Sequence, residues 1–458
     1  MTDRVDGGLA GRLGQLMFKE AGGEMYALIE ELYPICRSIT GNGVRETLDL
    51  VGKRIPLNVQ EVPSGTRVLD WEVPKEWNIR DAYILNGRGE RVVDFQESNL
   101  HVVNYSIPVR ERMPLAELRK NLFAIPDHPD WIPYRTSYYS ETWGFCLSQR
   151  QLDRLSDGSY DVVVDSRLED GHLTYAECRV PGRTEDEVLI FTHVCHPSLC
   201  NDNLSGIALA TRLAWEIRQI EPRYTYRFVF APATIGSITW LSRNEDRLDR
   251  IKHGLVLANV GDSGKFTYKR SRQGNAEIDR AAVHVLKHSS RDHEIVEFTP
   301  WGYDERQFGS PGFDLPVGRL TRSPNGAYPE YHTSADNLSF VRPEFLAESL
   351  AICLRILALL EDNGRYLNLK PKGEPQLGRR GLYRKMGGYQ GVPKEQLALL
   401  WVLSLSTGEA SLLEIADMSG IDFETIREAA RALAATDLLA PYEGNVQDEI
   451  KPRGGGAG

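Results

Sequence analysis

The sequence predicts an α/β fold in which a mostly parallel sheet is flanked by helices and carries an inserted β-rich subdomain and a C-terminal helical domain. Three observations predict it. Between about 183 and 365, apolar runs of strand length alternate with amphipathic runs of helix length, the pattern of a parallel sheet covered on both faces. Residues 61–179 instead break into short β-rich pieces punctuated by Pro and Gly. After about 390 come three amphipathic segments with a Gly turn between the second and third.

Each element follows in order. Residues 1–20 are Gly-rich and polar, a loose leader. From Gly22 to about Arg54, Met25, Leu28, Ile29 and Leu32, then Leu48 and Val51, recur at helical spacing, and the Gly-containing stretch 38–43 divides them into two helices. Strands are expected at 83–85, 101–103 and 160–164 of the insert, which is also rich in aromatics such as Trp77, Tyr134 and Tyr138. Those rings suit ordinary core packing better than a pocket wall. Beyond the insert, strands at 188–191, 226–230 and 254–258 alternate with helices at 205–219, 238–248, 277–288 and 343–360. This gives a core of 21–60 with 180–370, an insert of 61–179, a helical domain of 385–445 and a disordered tail of 446–458.

Composition sets outer bounds. A chain of 458 residues is too long for one ordinary core. Its 41% hydrophobic and 26% charged residues are those of a globular protein, and a net charge of −10 disfavours nucleic acid as a partner. No run of about 18 apolar residues suggests a membrane span. The first residues lack the apolar core of a signal peptide, so a cytoplasmic protein is expected. Six scattered cysteines suit reduced thiols.

The most informative stretch is 188–206. A strand delivers His193 and His196 at its end, and Asp202 then opens a helix in Asp202-Asn203-Leu204-Ser205-Gly206. Zinc takes neutral imidazole nitrogen and carboxylate oxygen, and groups at the C-terminal ends of parallel strands converge where such sheets bind ligands. Two more fragments end in residues of the same type: the strand at 254–258 runs on to Asp262, and the loop 328–336 carries Glu330 and His332. The candidate metal residues are therefore His193, His196, Asp202, Asp262 and His332.

These motifs resemble the zinc aminopeptidases of the co-catalytic metallopeptidase type, a group that includes bacterial leucyl aminopeptidase and, as a relative, glutaminyl cyclase. More closely, the chain resembles an aminopeptidase-like subfamily with an inserted β-region and a winged-helix-like end. The resemblance implies that Asp202 bridges metals and that His193, Asp262 and His332 complete the ligands. It fails at one point: the family's Glu-Glu before a Gly-Ser helix start is replaced here by Pro232-Ala233 ahead of Gly236-Ser237, which removes a general base and a ligand together. The family's Asp two residues after the first His is Cys195, and His196 stands as a compensating ligand. One tightly held Zn²⁺ is therefore expected, with a second weak or absent. The carboxylates left to act as base are Asp304 and Glu305, in the polar loop 302–308, and Glu330.

The resulting expectation is a zinc-dependent hydrolase of aminopeptidase type, in which metal-activated water attacks the carbonyl of a small peptide or amino-acyl amide bearing a free amine. The rivals are a degenerate, non-hydrolytic metal- or ligand-binding protein and a ligand-sensing regulator. The regulator would act through the C-terminal module, which resembles a winged helix or helix-turn-helix. Between 393 and 443 that module holds three basic residues against nine acidic ones. Since phosphate neutralisation supplies most non-specific affinity for DNA, a structural role or assembly as a homo-oligomer is the expectation preferred over DNA binding.

Overall fold

The computed structural model of the protein describes residues 8–383 and 392–442. Its largest sheet has eight strands: β1 (Asn58–Pro63), β2 (His172–Val180), β3 (Glu187–His193), β4 (Thr225–Ala231), β5 (Ile251–Leu257), β6 (Phe266–Lys269), β7 (His293–Val296) and β8 (Val317–Thr321). Their spatial order is β1-β2-β4-β3-β5-β8-β6-β7. The central strands β4, β3, β5 and β8 run parallel, while β1, β2 and β6 pair antiparallel with their neighbours toward the centre. The sheet is thus mixed, with the expected parallel order confined mainly to its middle. Every residue of β3 and β4 is buried, which is why both are mostly apolar, and the buried Arg227 of β4 is paired with Glu187 of β3 at 2.6 Å.

The leading residues differ from expectation. Gly8–Gln15 is a helix, because Leu9 is buried and Arg12 Nε donates to Glu216 Oε2 at 2.6 Å. Helices Phe18–Leu32 and Asn42–Gly52 follow, with the predicted apolar positions buried. At the two ends of the expected insert, β1 and β2 belong to the large sheet. Between them a four-stranded antiparallel sheet orders Arg91–Asp94, Glu76–Leu85, Ser159–Glu169 and Val109–Pro114 over its own core of Ile84, Val93, Leu118, Phe145 and Val162. The strand expected at 101–103 is absent among the described residues. Asn99–His101 is a tight 3₁₀ turn, started by Ser98 accepting from the Leu100 amide.

By contact the chain divides into two compact units, 1–279 with 291–354, and 280–290 with 355–458. The second unit contains helices Lys394–Leu405, Leu412–Ser419 and Phe423–Ala434 and a three-stranded antiparallel sheet of Thr407–Ser411, Arg365–Asn368 and Leu439–Tyr442. Local chemistry sets its turns. Ser411 and Glu414 form a capping box, Gly420 closes the middle helix in the left-handed region, and Asp422 caps the third. The tail expected at 446–458 lies outside the described residues. Among the described residues no helix is long and apolar enough to cross a membrane.

Candidate functional site

Strand β3 ends at His193, and the chain then turns through His196 into a tight helical turn, Cys200–Ser205, before helix Gly206–Ile217. That turn places Asp202 against three imidazoles. His193 Nε2 lies 3.0 Å from Asp202 Oδ1, His332 Nε2 lies 3.0 Å from Oδ2, and His196 Nδ1 lies 3.6 Å from Oδ2. His193 and His196 are themselves 3.3 Å apart, Nε2 to Nδ1. His193 and Asp202 are fully buried, and His332 is the most open side of the cluster.

The surroundings hold this geometry. Asp336 accepts the backbone N–H groups of Asn201 at 2.6 Å and Asp202 at 2.9 Å, so the loop that carries His332 also clamps the turn that carries Asp202. Helix Gly206–Ile217 starts with Gly because a Cβ there would meet the Asn203 amide at 2.4 Å and the Leu257 carbonyl at 2.7 Å. On the far side of His193, Nδ1 meets the Asn203 Nδ2 amide at 3.3 Å, and that amide also donates to Thr192 Oγ1 at 2.8 Å. Tyr303 stacks on His193 and its hydroxyl donates to Asp202 Oδ1 at 3.2 Å. His332, Ser198 and Asn259 all sit in the left-handed backbone region, an unusual conformation for residues other than Gly that gathers at functional sites.

Protonation fits the geometry. Burial opposes ionisation of Asp202, but the charge of His196 and hydrogen bonds with the imidazoles outweigh it, holding the carboxyl well below the usual carboxylate range. Burial depresses His193 and His332, which favours their neutral forms. Neutral imidazoles around an ionised carboxylate are the state in which these side chains bind a metal.

The other predicted residues lie elsewhere. Asp262 Oδ1 accepts from Gly264 N at 2.6 Å and Ser323 Oγ at 2.7 Å, and its Oδ2 accepts from Asn201 Nδ2 at 2.7 Å. Donors occupy its oxygens, and it anchors the neighbour of Asp202. Glu305 is buried between Lys269 at 3.0 Å and Arg319 at 3.2 Å. Asp304 is buried with Ser237 Oγ donating to Oδ1 at 2.7 Å, while Oδ2 has no partner among the described residues. Burial pushes its carboxyl up to about 7. Glu330 is half-buried, and its backbone carbonyl accepts from Thr333 Oγ1 at 2.8 Å.

Tyr134 of the β-rich stretch completes the site from a direction that local sequence does not reveal. Its ring stands edge-on to His196 and His332, with centroids 5.2 and 5.1 Å away. Its backbone N–H donates to the His332 carbonyl at 2.7 Å, and its hydroxyl lies 2.8 Å from that of Tyr138. Ser334 N also donates to Ile132 O at 2.8 Å, so the insert is zipped to the histidine loop.

Residues 26–363 match the family described as a domain of unknown function (DUF4910), and residues 364–441 match a winged helix-turn-helix. A candidate polysaccharide-biosynthesis protein with an aminopeptidase-like domain, from Clostridium acetobutylicum, is 55% identical over 420 residues, covering 92% of this chain and 96% of that protein. The crystal structure of a candidate peptidase from the same species shares 53% identity at a TM-score of 0.89, covering 93% of this chain and 97% of that one. A zinc aminopeptidase from Bacillus subtilis is similar in fold, with a TM-score of 0.55, 11% identity, and coverage of 73% of this chain and 94% of the other. An M28 peptidase precursor from Shewanella amazonensis gives 0.54 at 14% identity, covering 76% and 96%. The fold is aminopeptidase-like, with a C-terminal winged helix.

Proposed function

Because the chain belongs to the family of the domain of unknown function (DUF4910), its chemistry has to be argued from the site, and we propose a zinc-dependent amide hydrolase of aminopeptidase type. One observation carries this reading. Ligand atoms 2.0–2.1 Å from a tetrahedral zinc stand about 3.3 Å from one another; His193, His196 and Asp202 present nitrogens and oxygens 3.0 to 3.6 Å apart, and His332 meets the second Asp202 oxygen at 3.0 Å. We leave Asp262 out of the ligand set because N–H and O–H donors occupy its oxygens. With the Glu pair also missing, one tight ion is the reading we adopt.

Bound there, zinc supplies Lewis acidity, polarising a carbonyl and bringing the pKa of water to about 7. The chain's own part is to orient and to move a proton. Tyr303 and Asp336 fix Asp202, while Tyr134 flanks the two more open imidazoles. We assign the base to Asp304, which adjoins Tyr303, the residue stacked on His193 and bonded to Asp202, and whose carboxyl near 7 is matched to proton transfer at neutral pH. Glu305 is already engaged by Lys269 and Arg319. The substrate class is a small peptide or amino-acyl amide presenting a free amine. The second reading, a metal-binding protein without hydrolysis, is favoured by the Ala231-Pro232-Ala233 sequence where the related peptidases are expected to carry Glu-Glu.

Metal analysis of protein purified without chelator, together with an amino-acyl nitroanilide assay, tests the reading. About one equivalent of zinc is expected, lost in Asp202→Ala and His332→Ala. Full stoichiometry in both variants would overturn the ligand assignment, and zinc without turnover would favour the second reading.

A further inference from the structure

A cavity of about 650 Å³ opens on the outer side of the loops that carry His196 and His332, within the range of about 300–1,000 Å³ for small-molecule sites. Ser198 and Ser334, each two residues past one of those histidines, form part of its wall. The opposite wall comes from the start of helix Asn42–Gly52 and from residues 95–100 of the insert. It is therefore a composite of segments far apart in sequence, and an occupant would touch both imidazole-bearing loops.

The chemistry of the wall narrows the occupant. Four side-chain amides, Asn42, Asn78, Gln96 and Asn99, and two carboxylates, Glu46 and Glu97, line it. Among its described residues there is no Lys, Arg or His. Anionic groups are recognised by Arg and Lys, so a phosphate or carboxylate has no counter-charge here. Tyr33 and Phe95 add aromatic surface among these polar groups, so a wholly apolar ligand would leave the amides unpaired. One acceptor is already unpaired: Asn99 Oδ1 is buried without a partner among the described residues, while its Nδ2 donates to Ser198 Oγ at 2.7 Å. Planar amides and carboxylates beside aromatic rings match a ligand rich in hydroxyl donors and acceptors, with carbon–hydrogen faces to lay on the rings.

We propose that this cavity binds a saccharide unit, uncharged or carrying an amine, next to the candidate metal centre. The proposal does not depend on hydrolysis at that centre. Saturation-transfer NMR on the full chain tests it with glucosamine, N-acetylglucosamine and glucose 6-phosphate as probes. Both amino sugars are expected to receive saturation, and glucose 6-phosphate is not. Glu46→Gln with Glu97→Gln, both at exposed positions, should weaken glucosamine roughly tenfold and N-acetylglucosamine less, because only the former carries a charge for these carboxylates to meet. Phe95→Ala should weaken both sugars, with melting temperatures showing that each variant is folded. Asp202→Ala should retain the sugar signal, which separates this proposal from the metal assignment. Silence from both sugars, equal binding of glucose 6-phosphate, or signals that survive all the cavity variants would overturn it.

Discussion

Asp202 and Asp262 each follow a central parallel strand, β3 and β5, and the sequence offers them as equivalent metal ligands. Their surroundings separate them. The Asp202 oxygens face imidazole nitrogens at 3.0 Å from His193 and His332, groups that can turn lone pairs toward a cation. The Asp262 oxygens face amide and hydroxyl hydrogens from Gly264, Ser323 and Asn201, groups that donate to it and so already occupy its lone pairs. A carboxylate's role is thus set by whether its neighbours carry lone pairs or hydrogens, and the same contrast recurs at Asp304 and Glu305. Adjacent in sequence and equally buried, each has one oxygen without a partner among the described residues, but the other oxygen meets a hydroxyl in Asp304 and two cations in Glu305.

The largest effect that sharpens this contrast is metal loss. Asp202→Asn should remove nearly all bound zinc, whereas Asp262→Asn should keep it and cost about 1–3 kcal/mol of stability, because an amide would set donor against donor. Elemental analysis with a melting curve decides. If Asp262→Asn also lost the metal, the division between the two carboxylates would fail.

Next in size is the adjacent pair. Asp304→Asn should cut turnover by about 10²–10⁴-fold, the usual contribution of a positioned base, and keep the metal. Glu305→Gln should act on stability instead, by about 3–5 kcal/mol, since it leaves Lys269 and Arg319 buried without their counter-charge. Steady-state kinetics on refolded, metal-loaded variants distinguishes them. Catalysis unchanged in Asp304→Asn would withdraw it as the base.

How much of this was legible follows the range of the interactions. The strand ending in His193, the Asp-Asn-Leu-Ser-Gly turn and the winged helix rest on local spacing and caps, and could be read directly. The parallel centre was legible because its strands are mostly apolar. The side of the sheet beyond β5 was not: β6, β7 and β8 are short, and β8 carries a buried Arg319 that breaks the apolar signal. Tyr134 was counted with core aromatics because nothing near it in sequence points to histidines about 60 and 200 residues away. Asp262 could not be set apart from Asp202 for the same reason, since its partner Ser323 is distant in sequence.

A pH series sharpens the Asp304 assignment with a smaller effect. Its carboxyl is raised to about 7 by burial, above its ordinary unfolded value of about 3.9. The folded state therefore holds the proton more tightly. The stability gained from this is complete below the unfolded pKa and is lost as pH rises through about 7. Asp304→Asn cannot ionise, so its melting temperature should gain on the parent by a few degrees between pH 5 and pH 8. A difference that stayed flat across that range would show that Asp304 is not held protonated.

The smallest predicted effect extends the comparison to the second unit, where Asp362 accepts from two arginines. Arg427 Nη1 and Arg431 Nη2 both reach Asp362 Oδ2, at 2.9 and 3.3 Å. These are the two arginines of helix Phe423–Ala434, the positions from which a DNA-reading helix would draw its phosphate contacts. With both engaged, and with the acidic balance of the module, no DNA shift is expected at physiological salt. Asp362→Ala should free the two guanidinium groups and produce at most weak, sequence-independent binding at low salt, with a slope of about −2 in log K against log salt for two phosphate contacts. Fluorescence anisotropy on a labelled duplex measures that slope. Tight, sequence-specific binding by the parent chain at physiological salt would mean that Asp362 positions the arginines for DNA instead of neutralising them, and the rule drawn from Asp202 and Asp262 would not extend to this unit.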